Sequence, residues 1–212
     1  MEVLLSSTYF GPVQWYQKLH RAETVYIERH ESFIKQTYRN RCVIATANGT
    51  QALTVPVERG ETTLMKDIRI SDHGNWRHLH WNALQSAYGE SPFFEYYADD
   101  LLPFFERRWD FLFDFNLAIT ETMCELLDIH PNVQLTTQFL PSSLFLHPSS
   151  ITLHPSSTQD LREAIRPKHP LPDDSFEPRP YYQVFRERHG FLPNLSVLDL
   201  LFNMGPEGIY EL

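Results

Sequence analysis

Seven consecutive residues, Lys35-Gln36-Thr37-Tyr38-Arg39-Asn40-Arg41, gather three cations, amides, a hydroxyl and a phenol in a chain whose net charge is -9. Guanidinium and ammonium groups suit phosphate or carboxylate, and arginine grips two oxygens at once. In an extended segment Lys35, Thr37, Arg39 and Arg41 face one way and Gln36, Tyr38 and Asn40 the other. Lys35, Thr37, Tyr38, Arg39, Asn40 and Arg41 are therefore candidates for binding substrate. The competing reading is an edge strand whose charges resist aggregation. Just upstream, His30-Glu31 offers an acid–base group, because an imidazole changes charge near neutral pH.

Two further positions stand out by their surroundings. Asn116 is the polar member of an apolar stripe (Phe105, Trp109, Leu112, Ile119, Met123, Leu126). A buried amide needs partners, so Asn116 must bond to backbone, to another side chain or to a ligand. Near the C-terminus Ser196, Asp199 and Asn203 share one helix face at i, i+3 and i+7. Asp199 is a second catalytic candidate, with Arg39 or Arg41 as an expected partner, and Asn203 joins the substrate-binding set; helix-end electrostatics are the plainer explanation. His73, His78 and His80 lack the convergent ligands of a metal site, so none is expected. His169 and Asp174 have an HxxxxD spacing, but in a proline-rich stretch that gives them no fixed geometry. There is no glycine-rich phosphate loop, HExxH, GxSxG or GxGxxG, and no cofactor is specified.

The elements that must hold these residues follow from pattern. Val3–Ser6 and Thr24–Ile27 read as strands flanking a helix at Val13–Arg21 opened by Pro12, which implies a parallel pair. Cys42–Ala47 and Gln51–Val57 read as a hairpin turning on Asn48-Gly49, and Leu64–Ile70 as a further strand of that sheet. Helices are expected from Trp76, over about Leu101–Leu127 and over Leu195–Asn203, the last stopped by Gly205-Pro206. Val133–Thr137 is a short strand candidate. Leu146-His147-Pro148-Ser149-Ser150 recurs as Leu153-His154-Pro155-Ser156-Ser157 and reads as extended surface chain. Asp160–Ile165 reads as one or two helical turns. Arg166–Pro180, with five prolines, reads as an irregular arm. The expected architecture is α/β with a mixed sheet, α+β being the alternative, as one domain over 1–212 with a Ser/Pro-rich arm at about 141–180.

With 212 residues, 42% of them hydrophobic, the chain has a core's worth of apolar side chains. Its acidic balance argues against a nucleic-acid partner. Cys42 and Cys124 have no ligand or disulfide spacing and fit a reducing compartment, so cytoplasm is the expected address. Neither a signal peptide nor a transmembrane segment is expected.

These segments carry a resemblance. Phe33-x-Lys35-x-Thr37-Tyr38-x-Asn40-Arg41, Leu53-x-Val55-Pro56-Val57, Ile68–Ile70 before Trp76, and Pro193-x-Leu195-Ser196-x-Leu198-Asp199-x-Leu201-Phe202-Asn203-x-Gly205 resemble the WbqC-like family of bacteria, in order, from Tyr9 to Gly205. The resemblance implies a setting in O-antigen and surface-polysaccharide gene clusters, with a glycine or aminoacyl transferase role suggested for one branch. It implies a transferase acting on a small-molecule or sugar-linked substrate; the alternative is a non-catalytic scaffold presenting the 141–180 arm. Longer members open with His-Gln-Pro, whereas this chain reads Leu5-Ser6-Ser7-Thr8-Tyr9-Phe10-Gly11, keeping Tyr9 alone of that motif.

Overall fold

The computed structural model describes residues 1–58, 60, 63–142 and 158–212. The Leu-His-Pro-Ser-Ser repeat lies outside them. The protein is α/β. Four short strands, β1 (Glu2–Ser6), β2 (Thr24–Glu28), β5 (Val133–Leu135) and β6 (Thr158–Asp160), form a parallel sheet in the order β5-β2-β1-β6. Val3, Leu4 and Leu5 of β1 and Val25 and Ile27 of β2 are inaccessible to solvent, as strands covered on both faces require. The crossover from β1 to β2 is helix α1 (Val13–Arg21), whose first turn follows Pro12.

The hairpin β3 (Arg41–Thr46) and β4 (Gly49–Thr54) is antiparallel and forms a sheet of its own beside the parallel strands. Its turn differs from the expected one. Thr46 pairs with Gly49, so Ala47 and Asn48 are central, and the positive φ falls on Gly49 (114°). A glycine just after the turn, rather than Asn-Gly at its centre, takes the left-handed backbone.

Two helix and strand expectations are corrected. Leu64–Ile70 is not a strand: Met65–Asp67 is a 3-10 turn, held at each side by single bridges, Ser32 to Leu64 and Val57 to Ile70. The Leu101–Leu127 helix is broken: after α3 (Phe94–Leu101), the span holds two helices, α4 (Pro103–Glu106) and α5 (Leu112–Leu126). Pro103 can start a helix but cannot continue one. Residues 107–111 then run extended enough for Arg69 to bridge Phe111 and for Ile70 to bond Asp110 O at 2.9 Å. Helix α2 (Trp76–Tyr88) forms as the pattern implies. Near the C-terminus a short α6 (Arg186–His189) precedes α7 (Val197–Met204), which Ser196 caps by accepting from Leu198 N.

Residues 158–180, read from sequence as turn and irregular arm, begin with strand β6. No regular element follows until α6, yet the stretch is anchored. The Asp173 carboxylate accepts from Lys18 Nζ and Gln14 Nε2 of α1, each 2.8 Å away. Burial opposes ionisation of Asp173, but the bonds from Lys18, Ser175 and Gln14 outweigh it and hold the carboxyl below its ordinary value.

Asn116 explains how the polar segment is fixed to the core. Its Nδ2 donates to Arg39 O at 2.8 Å and Ser7 Oγ at 3.3 Å. Asn116→Ala is expected to lower stability by about 2 kcal/mol, because it strands a buried carbonyl; urea denaturation reads the change.

Candidate functional site

In open parallel sheets ligands bind beyond the carboxyl ends of the strands, where the strand order reverses. Here the chain moves from β1 to β2 and β5 on one side, then returns to β6 on the other. The reversal falls between β1 and β6. Beyond those ends lies a cleft of about 480 Å³ bordered by His30, Glu31, Arg39, Phe139, Ser142 and Arg162. Each wall continues a strand. His30 and Glu31 follow β2, Phe139 and Ser142 lie downstream of β5, and Arg162 follows β6 by two residues.

Its floor is ionic. Arg39 donates to Glu31 from Nε (2.8 Å) and from Nη2 (2.5 Å), and both side chains are buried. Ser6 Oγ, at the tip of β1, bonds to both partners: it accepts from Arg39 Nη2 at 2.9 Å and donates to Glu31 at 3.1 Å. Thr37 Oγ1 accepts from Arg39 Nη1 at 3.3 Å. On the other side Arg162 holds Asp160 from Nε (2.9 Å) and Nη2 (2.7 Å), and Glu28 lies 3.7 Å from its Nη1. Burial disfavours the Asp160 carboxylate, yet the Arg162 guanidinium and the Ser142 hydroxyl keep it below the ordinary carboxyl range. Glu28, with no exposed surface, also accepts from His30 N, Thr136 Oγ1 and Leu140 N. It ties the loops after β2 and β5 together.

Arg39 and Arg162 also border a second, water-sized cavity of about 10 Å³ beneath the cleft, together with Thr8 and Tyr38. Thr8 Oγ1 is buried there without a hydrogen-bond partner. A space of this size between polar groups suits one buried water.

The rim is apolar. Ile34 (37%), Leu64 (36%) and Phe139 (49%) are large hydrophobic side chains left exposed around this one opening. The guanidinium of Arg162 lies 5.5 Å from the Phe139 ring centroid. An apolar collar around a few placed polar groups is the usual make-up of a small-molecule site.

Of the residues chosen from sequence, His30 and Arg39 border the cleft, and Thr37 supports Arg39. Among the described residues the His30 ring has no hydrogen-bond partner. Tyr38 is buried, its hydroxyl pushed up to about 12 by burial and then by Cys42. Asn40 Nδ2 donates to Val55 O at 2.8 Å and is not among the cleft-lining residues. Arg41 belongs to β3, where its Nε donates to Thr54 Oγ1 at 3.0 Å, away from the cleft lining. Lys35 is exposed and Asn116 buried, and neither is among the cleft-lining residues.

Asp199 and Asn203 do not join the cleft. Both are buried on α7. Asp199 accepts from Tyr88 at 2.9 Å through Oδ1, and from Tyr181 at 2.8 Å and Gln183 at 2.9 Å through Oδ2. The expected pairing with Arg39 or Arg41 is replaced by these neutral donors. Asn203 donates to Asp199 O at 2.7 Å and accepts from Val184 N at 3.1 Å. Residues that the sequence did not bring forward are Ser6, Glu28, Asp160 and Arg162. Placing them requires knowing that 158–160 is a strand, and Thr158-Gln159-Asp160 has no strand pattern of its own.

This is an α/β protein with a polar cleft at the carboxyl ends of its parallel strands. Its affiliation is narrower: the chain belongs to the WbqC-like protein family, whose model matches residues 7–146. That span holds His30, Glu31, Arg39, Phe139 and Ser142, while Arg162 lies beyond it. The chain is similar to the uncharacterized protein Rv1507c of Mycobacterium tuberculosis (strain ATCC 25618 / H37Rv), 26% identical over 190 residues, covering 82% of this chain and 81% of the relative. No solved structure matches the chain significantly. No helix among the described residues is long and apolar enough to cross a membrane.

Proposed function

We propose that the protein is a group-transfer enzyme whose polar small-molecule or sugar-linked substrate binds in the cleft at the carboxyl ends of β1, β2 and β6. The observation that supports this reading best is the pair of buried guanidinium groups, Arg39 and Arg162, flooring a cavity at the point where strand order reverses. Buried ion pairs of this kind seldom stabilise a fold more than apolar replacements would, so a role in the site accounts for them better than stability does. His30 is the base in this reading. Its ring, bordering the cleft with no hydrogen-bond partner among the described residues, takes the proton from an acceptor hydroxyl or amine as that atom bonds to the transferred group, whose bond to the donor's phosphate oxygen breaks so that the nucleotide leaves with the electron pair. Arg39 and Arg162 fix the polar part of the substrate, and Phe139 and Ile34 cover its apolar part. Resemblance to the WbqC-like family suggests bacterial surface-polysaccharide assembly as the setting, with a sugar-linked or aminoacyl donor.

The test uses UDP-glucose, UDP-N-acetylglucosamine, GDP-mannose and a glycyl-adenylate analogue as donors. Binding is read by calorimetry, and transfer to added monosaccharides by mass spectrometry. At least one donor is expected to bind. His30→Ala is expected to keep its affinity within about threefold and to lose transfer by about 100-fold or more. Equal transfer rates in wild type and His30→Ala, or no binding by any of the four donors, overturn the reading.

A further inference from the structure

A further cavity, of about 450 Å³, lies between the first turn of α2 and helix α4 and shares no lining residue with the cleft. Its apolar side is built from Trp81, Leu102 and Phe105. The Trp81 ring is half-buried and packs on Phe105 at 5.4 Å and Phe94 at 5.9 Å between centroids. Its Nε1 has no hydrogen-bond partner among the described residues.

The polar side carries both signs. Arg77 and Arg108 stand against Asp72 and Glu106. Asp72 accepts from Arg77 at 2.6 Å and lies 3.4 Å from Arg108. Arg77 is also stacked 4.6 Å from the Trp76 ring centroid, so it cannot swing freely. Arg108 is 83% exposed, and Glu106 and the Asn75 side-chain amide are exposed and have no hydrogen-bond partner among the described residues.

Two guanidinium groups balanced by two carboxylates give no net charge to attract an ion. They do place acceptors and donors side by side next to an indole. A neutral sugar ring matches that arrangement: its C–H face packs on an aromatic surface, while neighbouring hydroxyls donate to carboxylates and accept from guanidinium and amide groups.

We propose that this cavity, formed by Trp81 and Phe105 with Asp72, Glu106 and Arg108, is a binding site for an uncharged hexose ring. It holds a saccharide away from the cleft and is independent of the chemistry assigned there. The Trp81 indole supplies the stacking surface. Asp72 and Glu106 accept hydrogen bonds from the sugar hydroxyls, and Arg108 closes over the bound ring.

Saturation-transfer NMR on the full chain tests this with the methyl glycosides of glucose, galactose, mannose, rhamnose and N-acetylglucosamine. At least one is expected to bind with millimolar affinity. Glu106→Ala with Arg108→Ala, both at the surface, is expected to weaken it fivefold or more, while His30→Ala in the cleft leaves it unchanged. Trp81→Phe keeps an apolar ring for the fold and is expected to weaken binding two- to fivefold. Absence of binding by all five glycosides at 10 mM, undiminished binding in the Glu106/Arg108 double variant, or displacement of the sugar by inorganic phosphate overturns the proposal.

Discussion

Arg39→Met is expected to cost about 3–5 kcal/mol of folding stability, the largest loss from any single change at the cleft. Arg39 and Glu31 are both buried and share two short hydrogen bonds. Removing the guanidinium leaves a carboxylate in a low-dielectric pocket with little beyond Ser6 to satisfy it. The double variant Arg39→Met/Glu31→Leu behaves differently. Replacing a whole buried pair by apolar side chains of similar size is often neutral, so the double variant is expected to recover most of the lost stability. It is not expected to recover donor binding. Chemical denaturation reads the first effect and calorimetry the second. A double variant as stable as wild type that also binds donor equally well would reduce the pair to a packing feature.

Asp199→Ala is expected to cost about 3–5 kcal/mol near neutral pH. The carboxylate is a hub: Tyr88, Tyr181 and Gln183 all donate to it, and Ala45 N donates to the Tyr88 hydroxyl at 3.1 Å. The substitution strands three buried donors on α2 and on the 181–183 segment, and loosens the hairpin through Ala45. Its pH signature has a definite sign. Burial raises the Asp199 carboxyl from 3.8 to about 6, against the opposing pull of bonds from Tyr181, Gln183 and Tyr88. The folded protein therefore holds this proton more tightly than the unfolded chain. The stability it brings is full below pH 3.8, falls as pH rises from about 4 to about 6, and levels off above that. The fall is on the order of 3 kcal/mol. Asp199→Asn is expected to be less damaging than Asp199→Ala and to lack this pH-dependent step. Parallel denaturation series for wild type and Asp199→Asn at pH 4, 5, 6 and 7 would isolate it; a constant difference across the series would contradict the buried-carboxyl assignment.

How much of this was legible in the sequence depends on how local each signal is. The β1-α1-β2 unit reads directly, because the short apolar and β-branched runs on either side of Pro12 are local signals. So does the hairpin, although its turn register shifts by a residue because Gly49, not Asn48, takes the positive φ. The long helix was misread because Phe105, Trp109 and Leu112 keep helical spacing across a break at 107–111. Those side chains still all reach the core, so burial alone did not reveal the break.

For the site, Arg39 is the residue of the 35–41 segment that borders the cleft, with Thr37 bonded to it. Arg39 turns inward to Glu31, and Arg41 leaves with the hairpin. Neither direction could be read from alternation, since Gln36 has a positive φ of 60° and the segment is a turn rather than a strand. Asp199 looked chemical because it lies beside apolar neighbours. That surrounding instead reflects burial with three neutral donors from distant parts of the chain. Arg162 and Asp160 went unseen because a three-residue edge strand is defined by its pairing with Glu2–Leu4 and not by its own composition.

The most direct test of the cleft assignment is an amide chemical-shift map of the isotope-labelled protein titrated with whichever of the four donors binds. Shifts are expected to concentrate at residues 30–39, 136–142 and 160–163 and to disappear in Ser142→Trp, which fills the opening without breaking either ion pair. Shifts centred on α7 and residues 181–184, or a map unchanged by Ser142→Trp, would contradict it.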